Sequence, residues 1–517
     1  MVFDILKTPY KITVITEKWK DSVTGAAELK KEDVNITYDG TLCVKADETP
    51  VCEVKLLWKG HISADAKILH DEWERGYGEM EWIAPTIGRM MPWYFYSYKD
   101  GMTECYGIET CPNAMCWWTI TDEGLEFTAE VRCGGLGVIL GGRCMKAAVM
   151  VQNEYTGNVM DACREFCKLM CKNPRTVKYP IYGGNDWYCN YGSNSFDKIK
   201  AHAEFIADCA GDKENRPYMV IDDGWELCHH MSDNDDEYFI GGPWIPNRKF
   251  GDMKKMADEI KKLDVIPGIW FRPLWTTEEF PPEYILKFKF AKYTLDPSVP
   301  EVLDIVREDV TRIREWGYKL IKHDFTYFDV YGKWGFQMME DHLADEGWSF
   351  SDRSKTTAEI IKGLYMAIRE AAGDDIYIIG CNTSSHLSAG IFEIQRTGDD
   401  TSGLEWERTK KMGINTLAFR MSQHHTFYDH DADCVGITKK VDFEKTKKWL
   451  DVLSKSGTAL FVSVADDCQT EEVKEAIKVA FDRAAVNNKP SYPIDWMETK
   501  TPTKWKSEFG EDEYDWE

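Results

Sequence analysis

Polar clusters follow several short apolar segments in the second half of the chain. The most prominent are DDGWE, KHDF, CN and RTGDD, and the first two directly follow the apolar runs YMVI and YKLI. One such cluster is typical of a loop in which an aspartate caps the next helix. Four clusters at the ends of four successive segments instead indicate that these polar side chains meet at one site.

Two aspartates in these clusters have the surroundings that a catalytic carboxylate needs. Asp324 follows Lys322 by two residues, so both side chains lie on one face of a strand. A nearby ammonium favours the ionised carboxylate, which suits a nucleophile. Asp400 follows Arg396 by four residues. One ionised and one protonated carboxyl group are what glycoside hydrolysis requires, so we expect the pKa of Asp400 to be raised.

Three further aspartates either support these assignments or compete with them. Asp222 and Asp223 are adjacent, and their paired oxygens suit two neighbouring sugar hydroxyls; calcium binding and helix capping are the alternatives. Asp399 competes with Asp400 for the role of acid/base. Adjacent residues on extended backbone point to opposite faces, so only one of them can serve. The Arg-x-x-x-Asp spacing favours Asp400.

The segments that carry these clusters alternate with helical patterns. Met253, Met256 and Ile260, for example, share one face of a predicted helix. Strands that alternate with helices over roughly 300 residues predict a parallel sheet, most simply a closed (β/α)8 barrel with its active site at the C-terminal ends of the strands. One strand of the eight cannot be placed within residues 413–436.

The chain before the barrel has the sequence pattern of an all-β domain. Residues 1–175 contain short alternating segments such as KITVIT, VCEVKLLW and LEFTAEVRC, separated by turn residues, and predict a β-sandwich. The expected organisation is a sandwich over 1–175, the α/β barrel over 176–488 and a short extension over 489–517. We expect the extension, which ends in EFGEDEYDWE, to be a loose acidic tail.

Composition restricts the partners of the protein. The 63 Lys and Arg residues against 88 Asp and Glu residues give a net charge of −25, which argues against nucleic acid or an anionic membrane as a partner. No apolar run is long enough to span a membrane. The N-terminus lacks the pattern of a secretory signal, so we expect a cytoplasmic protein. The 20 tryptophans favour a protein that handles sugars.

The 16 cysteines are interpreted as reduced thiols. Cys163, Cys167 and Cys171 recur every four residues and predict one buried helix face. No combination of cysteine and histidine has the spacing of a zinc site, so neither a metal nor an organic cofactor is expected.

Five motifs together resemble the α-galactosidases of glycoside hydrolase family 36. They are IDDGWE, PGIWFRPL, IKHDF, GCNTSSHLSAGIFEIQRTGDDTSG and HDADC, in unbroken order from Tyr179 to Cys434. The resemblance implies an N-terminal β-sandwich, a (β/α)8 barrel, a small C-terminal β domain and hydrolysis of terminal α-galactosides with retention of configuration. It implies that Asp324 is the nucleophile and Asp400 the acid/base. The substrate-binding residues that it implies are Asp222 and Asp223 for the 4- and 6-hydroxyls, Lys322 and Arg396 for ring hydroxyls, and Trp187, Trp270 and Cys381 as walls of the pocket.

The chain departs from the family pattern in three places. The C-terminal β domain is reduced or absent, residues 382–386 lack an expected Gly and Pro, and Glu393 replaces a more usual Asp. The last two departures leave the sugar open. An α-N-acetylgalactosaminidase, another α-glycosidase or a transglycosylase of the same clan are the alternatives, and a non-catalytic sugar-binding protein is an alternative of another class. Barrel surface exposed by a missing domain favours a homo-oligomer.

A segment of the sandwich, LHDEWERGYGEMEW at residues 69–82, has two interpretations. It forms a turn at the interface between sandwich and barrel, or it reaches over the barrel mouth with Trp73 as a wall of the substrate site. Asp431 and Asp433 are interpreted as structural residues that brace the barrel near its last strands.

Overall fold

The N-terminal region is a β-sandwich. The computed structural model describes residues 1–227, 230–231, 238–288, 292–338 and 343–517. Its first strands are β1 (Lys11–Thr16), β2 (Lys20–Thr24), β3 (Glu28–Lys31), β4 (Val34–Tyr38), β5 (Thr41–Lys45), β6 (Val51–Lys59), β7 (Lys67–His70), β8 (Met91–Pro92), β9 (Phe95–Lys99), β10 (Met102–Ile108), β11 (Met115–Ile120), β12 (Gly124–Glu130) and β13 (Cys144–Thr156). They form a six-stranded sheet, β2-β1-β6-β12-β11-β8, and a seven-stranded sheet, β3-β4-β5-β13-β10-β9-β7.

Aromatic side chains join the two sheets. The alternation of β4, VNITY, turns Tyr38 inward. The Tyr38 ring lies 5.7 Å from the ring of Trp58 on the other sheet, and Phe95 lies 6.0 Å from Trp118 in the same way. These contacts bury large apolar areas between the sheets, which is the main stabilising contribution in such a core.

Eight parallel strands form the predicted closed barrel, each paired with the next in the chain and the last with the first. In chain order they are Tyr182–Asn185, Tyr218–Ile221, Ile266–Phe271, Leu320–His323, Tyr377–Gly380, Ile394–Arg396, Asp429–Ile437 and Ala459–Val464. The fold class predicted from the sequence is therefore confirmed. The strand that the sequence could not place is the seventh, Asp429–Ile437, which begins with DHDADC although all nine of its residues are buried.

Helices cover the outside of the barrel. The α-helices of the described residues are Val159–Met170, Trp187–Asn190, Phe196–Ala210, Met253–Lys262, Pro300–Trp316, Thr326–Tyr331, Thr357–Ala372, Ser385–Ser388, Trp406–Thr409, Thr416–Arg420, Phe443–Lys455 and Glu471–Ala484. Short 3-10 turns span Pro282–Tyr284, Gly335–Met338, Met421–Gln423 and Asp466–Cys468, a π-helical turn spans Lys410–Asn415, and a small hairpin pairs His230–Met231 with Tyr238–Phe239. Helix Met253–Lys262 buries Met253, Met256 and Ile260, as its periodicity predicts.

The cysteines of the helix Val159–Met170 are free thiols, as the sequence predicts. Cys163, Cys167 and Cys171 are all buried. Burial raises the pKa of the Cys167 thiol to about 11, so it stays protonated at neutral pH. In the part of the chain that the structure describes, no helix combines the length and the apolar character that crossing a membrane requires.

The C-terminal extension is folded, so the expectation of a loose tail is wrong. Strands Tyr492–Pro493, Lys504–Ser507 and Gly510–Glu513 form an antiparallel sheet. Trp516 is buried, its indole N–H donates to the carbonyl of Pro502 at 2.8 Å, and its own carbonyl accepts from the indole of Trp406 at 2.6 Å. Glu508, Glu511, Glu513 and Asp515 of the extension are exposed, whereas Trp496, Trp505 and Trp516 are buried and anchor it.

Replacement of Trp516 by Ala should release this extension. Loss of a buried indole costs about 3 kcal/mol of local stability. We expect protease cleavage within residues 490–517, followed by mass spectrometry, to be at least tenfold faster in Trp516→Ala than in the parent. Phe509→Ala, which removes an exposed ring of the same segment, serves as the matched control. Equal cleavage rates in all three proteins would contradict a packed extension.

Candidate active site

A cavity of about 390 Å³ opens at the C-terminal ends of the barrel strands. It is lined by Arg75, Tyr77, Trp187, Asp222, Asp223, Ile240, Trp270, Lys322, Asp324, Phe325, Trp334, Phe336, Asp399 and Asp400. Seven of the nine site residues predicted from the sequence are in this set. The other two, Cys381 and Arg396, do not line the cavity but lie buried directly beneath it, in contact with residues that do.

Asp324 is held by two hydrogen bonds at the end of the fourth barrel strand. The indole N–H of Trp270 donates to its Oδ2 at 3.1 Å, and the backbone N–H of Phe325 donates to its Oδ1 at 2.8 Å. Phe325 has a φ of 64°, a left-handed conformation that is strained for a residue with a side chain. This tight turn fixes the direction of the Asp324 carboxylate while leaving it accessible from the cavity.

Lys322 forms its ion pair with Asp222 rather than with Asp324. Its Nζ lies 2.7 Å from Asp222 Oδ2, which also accepts from Asn185 Nδ2 at 2.6 Å. Burial disfavours a charged lysine, but Asp222, Cys381 and Asp324 together outweigh it and raise the pKa of Lys322 well above its ordinary value. Asp186 orients the loop, because its Oδ1 accepts the backbone N–H of Asp222 at 2.7 Å. Lys322 and Asp222 therefore form a fixed pair of opposite charges at the floor of the cavity.

Arg396 is the fully buried cation beneath the cavity. Its Nη2 lies 3.4 Å from Asp400 Oδ1 and 3.1 Å from Asp433 Oδ2, and its Nη1 donates to Cys381 Sγ at 3.2 Å. Asp433 Oδ2 also accepts from the backbone N–H and the hydroxyl of Thr401 at 2.8 and 3.0 Å. These contacts agree with the bracing role predicted for Asp433, and they give the buried guanidinium the counter-charge that it needs.

The cations around Asp400 reverse the pKa shift expected from the sequence. Its side chain is 38 % exposed, because it faces the cavity. Burial by the surrounding protein raises the pKa of Asp400, but Arg396, Arg75 and other nearby cations together hold it below its ordinary value. The expectation of a raised pKa is therefore wrong for the cavity without a ligand.

Asp399 also lines the cavity, so the expectation that only one of the two aspartates can face it is wrong. The sixth strand ends at Arg396, and the loop beyond it does not follow the alternation of a strand. Arg75 Nη2 lies 2.8 Å from Asp399 Oδ1, and Arg408 Nη2 lies 2.7 Å from Oδ2. Both oxygens of Asp399 are thus paired with arginines, whereas the ion pair of Asp400 with Arg396 is longer, at 3.4 Å.

Residues 71–82 of the sandwich, here called the tongue, reach the barrel mouth. Gly76 N–H donates to the carbonyl of Thr397 at 2.8 Å, and Asp399 N–H donates to the carbonyl of Gly76 at 3.1 Å. A Cβ on Gly76 would lie 2.8 Å from the Thr416 side chain, so this approach requires glycine. The tongue thereby brings Arg75 into the cavity.

Trp73 does not form a wall of the substrate site. It is fully buried, with its ring 5.0 Å from Trp93 and 6.1 Å from Trp117, and it donates its indole N–H to the carbonyl of Met338. Trp73 therefore lies in a turn at the interface between sandwich and barrel. Arg75 and Tyr77 of the same segment do reach the barrel mouth and line the cavity. The sequence did not single out these two residues.

Glu74 connects the tongue to the loop after the fifth strand. It is fully buried and accepts from Asn382 Nδ2 at 3.0 and 2.9 Å and from the hydroxyl of Tyr77. Burial raises the pKa of Glu74 to about 8, although Arg75 opposes this shift. Residues 382–386 are buried and do not line the cavity. Within this departure from the family pattern, Asn382 is the residue that contacts Glu74.

Glu393, the other departure, is also remote from the cavity. It pairs with the guanidinium of Arg369 at 2.8 Å and accepts the backbone N–H of Ile378 at 2.9 Å. It therefore joins a helix to the fifth strand and does not contact the lining residues. Asp431 is fully buried beside Arg396, and burial raises its pKa to about 6.

One cluster elsewhere, His424, His425 and Asp429, has the proximity of a metal site among the described residues. His424 is engaged by the protein, however: its Nδ1 accepts the backbone N–H of His430 at 3.0 Å and its Nε2 lies 3.1 Å from the carbonyl of Gly457. Asp429 likewise accepts the backbone N–H of Val177 at 2.6 Å. These contacts explain the cluster as structural.

Comparison with known proteins supports the fold. No family model matches the chain. The α-galactosidase TtGalA from Thermus thermophilus, solved with p-nitrophenyl α-D-galactopyranoside, is 16 % identical with a TM-score of 0.61, covering 95 % of this chain and 99 % of its own. A variant of the family 36 α-galactosidase AgaA from Geobacillus stearothermophilus, solved with raffinose, is 14 % identical with a TM-score of 0.62, covering 96 % and 79 %. An α-galactosidase from Lactobacillus brevis is 13 % identical with a TM-score of 0.59, covering 92 % and 68 %. The architecture implied by the motifs is thus confirmed as the fold of family 36 α-galactosidases.

Proposed function

We propose that the protein is a retaining, exo-acting α-galactosidase of the family 36 type. The observation that carries the proposal is that Asp324 and Asp400, which follow different barrel strands, line the same cavity. Asp324 accepts hydrogen bonds from Trp270 and from the Phe325 backbone, and Asp400 forms an ion pair with Arg396 at 3.4 Å. Two carboxyl groups in different environments are the requirement for glycoside hydrolysis by double displacement.

Asp324 is the nucleophile of the proposed reaction. Its carboxylate attacks the anomeric carbon of an α-galactoside, and the bond from that carbon to the leaving oxygen breaks. The hydrogen bonds from Trp270 and from the Phe325 backbone orient the carboxylate before the substrate arrives. The product of this step is a β-linked galactosyl-enzyme.

Asp400 is the acid and then the base. It donates its proton to the departing oxygen, and afterwards it removes a proton from the water that releases α-galactose. The cations that keep the pKa of Asp400 low act in the free enzyme. A bound sugar displaces the water that reaches its 38 % exposed side chain, and loss of that water raises the pKa.

The remaining polar residues bind the sugar. The buried pair of Lys322 and Asp222, together with Asp223, offers donors and acceptors for the 4- and 6-hydroxyls and for neighbouring ring hydroxyls. Trp187 and Trp270 supply flat apolar surfaces for the C–H face of the ring. Arg396 and Cys381 lie beneath the floor and act through Asp400 and Arg75. Because buried residues close the floor of the cavity, a sugar chain cannot extend through it. This favours removal of a terminal sugar.

Loss of the nucleophile should abolish turnover without loss of the fold. We expect Asp324→Ala to lower kcat on p-nitrophenyl α-galactoside by about 10⁴-fold. Added azide should fill the vacated space, attack the anomeric carbon and give β-galactosyl azide, while Asp400 protonates the leaving oxygen. Asp212→Ala, at an exposed aspartate, is the matched control and should keep the parent rate.

Parent-like turnover in Asp324→Ala, or a folded variant without azide rescue, would contradict this assignment. The parent enzyme should be assayed in parallel on the 2-acetamido-2-deoxy-α-galactoside and on the α-glucoside. Turnover of the acetamido sugar alone would instead identify an α-N-acetylgalactosaminidase with the same mechanism. A parent protein that binds galactosides and hydrolyses none of the three would indicate the sugar-binding alternative.

Removal of one cation near Asp400 should move the pH profile upward. Arg408 lowers the pKa of Asp400 without lining the cavity. In Arg408→Met the pKa of Asp400 should rise, so the protonated acid persists to higher pH, and the basic limb of kcat/KM, which reports the free enzyme, should shift to higher pH. Arg307→Met, at a similarly exposed arginine, should leave the limb in place. A shift to lower pH, or none, would exclude Asp400 as the acid.

A further inference from the structure

One side of the cavity is aromatic, and its rings follow one another in space. This aromatic strip consists of Phe325, Trp334, Tyr77 and Phe336, all of which line the cavity. The Phe325 ring lies 5.7 Å from Trp334, and the Tyr77 ring lies 4.7 Å from Phe336. Arg75 lies between the two pairs, with its guanidinium 5.6 Å from the Trp334 ring and 5.8 Å from the Tyr77 ring.

The strip runs from the reacting carboxylate to the mouth of the cavity. At its inner end the Phe325 ring lies 6.3 Å from Trp270, which is 2 % exposed and hydrogen-bonded to Asp324. At its outer end Phe336 is 51 % exposed. In a cavity with a closed floor the terminal sugar occupies the inner part. The leaving group of the substrate then lies toward the mouth, where the strip forms one side of the cavity.

The outer end of the strip is held in place before any ligand binds. The Tyr77 hydroxyl donates to the buried Glu74, which also accepts from Asn382. Gly335, next to Phe336, packs so closely on Glu74 that a Cβ there would lie 2.6 Å from Glu74 Cγ. Rings that are already ordered lose little conformational entropy when a ligand stacks on them. Phe336 is exposed, and its ring packs against Tyr77, so it is suited to contact with a ligand.

The strip also has polar groups beside it. Arg75 and Asp399 form an ion pair at 2.8 Å that faces the cavity. This pair offers N–H donors and carboxylate oxygens next to apolar ring faces. A pyranose presents the same combination, with C–H groups on its face and hydroxyls on its rim. An alkyl group would cover the pair without providing hydrogen bonds, which costs free energy.

We propose that Tyr77 and Phe336 form the subsite for the leaving group and select substrates whose leaving group is a sugar. The proposal rests on the function proposed above. The tongue of the sandwich supplies Tyr77 and the barrel supplies Phe336, so both domains set the specificity for the leaving group, whereas the barrel alone sets the specificity for galactose. Arg75 and Asp399 bind the hydroxyls of the leaving sugar.

The test compares two substrates that differ only in the leaving group. α-Galactosyl fluoride releases fluoride and cannot reach the strip, whereas galactosyl-α-1,6-glucose places a pyranose there. The quantity of interest is the ratio of kcat/KM for the disaccharide to kcat/KM for the fluoride. We expect this ratio to fall about tenfold in Phe336→Ala and in Tyr77→Ala, since a stacked sugar buries apolar area on each ring.

Two further variants separate stacking from structure. Tyr77→Phe keeps the ring and removes only its hydrogen bond to Glu74, so the ratio should fall by less than in Tyr77→Ala. Phe509→Ala removes a ring that is 46 % exposed but remote from the cavity, and it should keep the parent ratio. A ratio within about twofold of the parent in both alanine variants, including equal losses on the two substrates, would overturn the proposal. A parent enzyme inactive on both substrates would overturn the proposed function, and the subsite with it.

Discussion

A single buried guanidinium holds the floor of this cavity together. Arg396 ends the sixth barrel strand and contacts Asp433 of the seventh, Asp400 of the following loop and Cys381 after the fifth. A buried cation without partners would cost several kcal/mol, so these groups must converge on it. The convergence fixes the loop that carries Asp400. The acid/base of the proposed reaction is therefore positioned by the charge that also keeps its pKa low.

Two further groups of opposite charges build the rest of the cavity. Lys322 pairs with Asp222, and Asp399 pairs with Arg75 and Arg408. Arg75 comes from the sandwich, so the two domains share one network of charges. Arg75 of the sandwich thus helps to position Asp399 in the cavity and also joins the sandwich to the barrel. Loss of Arg75 would remove the ion pair to Asp399 Oδ1. Glu74 secures the same connection through its hydrogen bonds with Asn382 and Tyr77.

The sequence predicted the parts of the site that obey a local rule. Apolar strands that end in Asp or Lys gave the positions of Asp222, Lys322 and Asp324, because strand ends in a closed parallel barrel must meet. It could not predict Arg75, since the tongue and the loop at Asp399 are more than 300 residues apart and meet only in the folded chain. The glycines of WERGYG were the one available signal, because such residues permit close backbone approach.

Asp399 was assigned to the wrong face because strand alternation was applied to a loop. The C-terminal extension was misjudged because its acidic residues concealed the anchoring role of Trp516.

The central claim is that Asp324 and Asp400 hydrolyse an α-galactoside by double displacement. The measurement that tests it most directly is proton NMR of the first-formed sugar during rapid hydrolysis of p-nitrophenyl α-galactoside, before mutarotation. Two inversions at the anomeric carbon give back the original configuration. We expect α-galactose to appear first and the β-anomer only later, by mutarotation. Initial formation of β-galactose would mean a single inversion by water and would contradict the covalent role of Asp324.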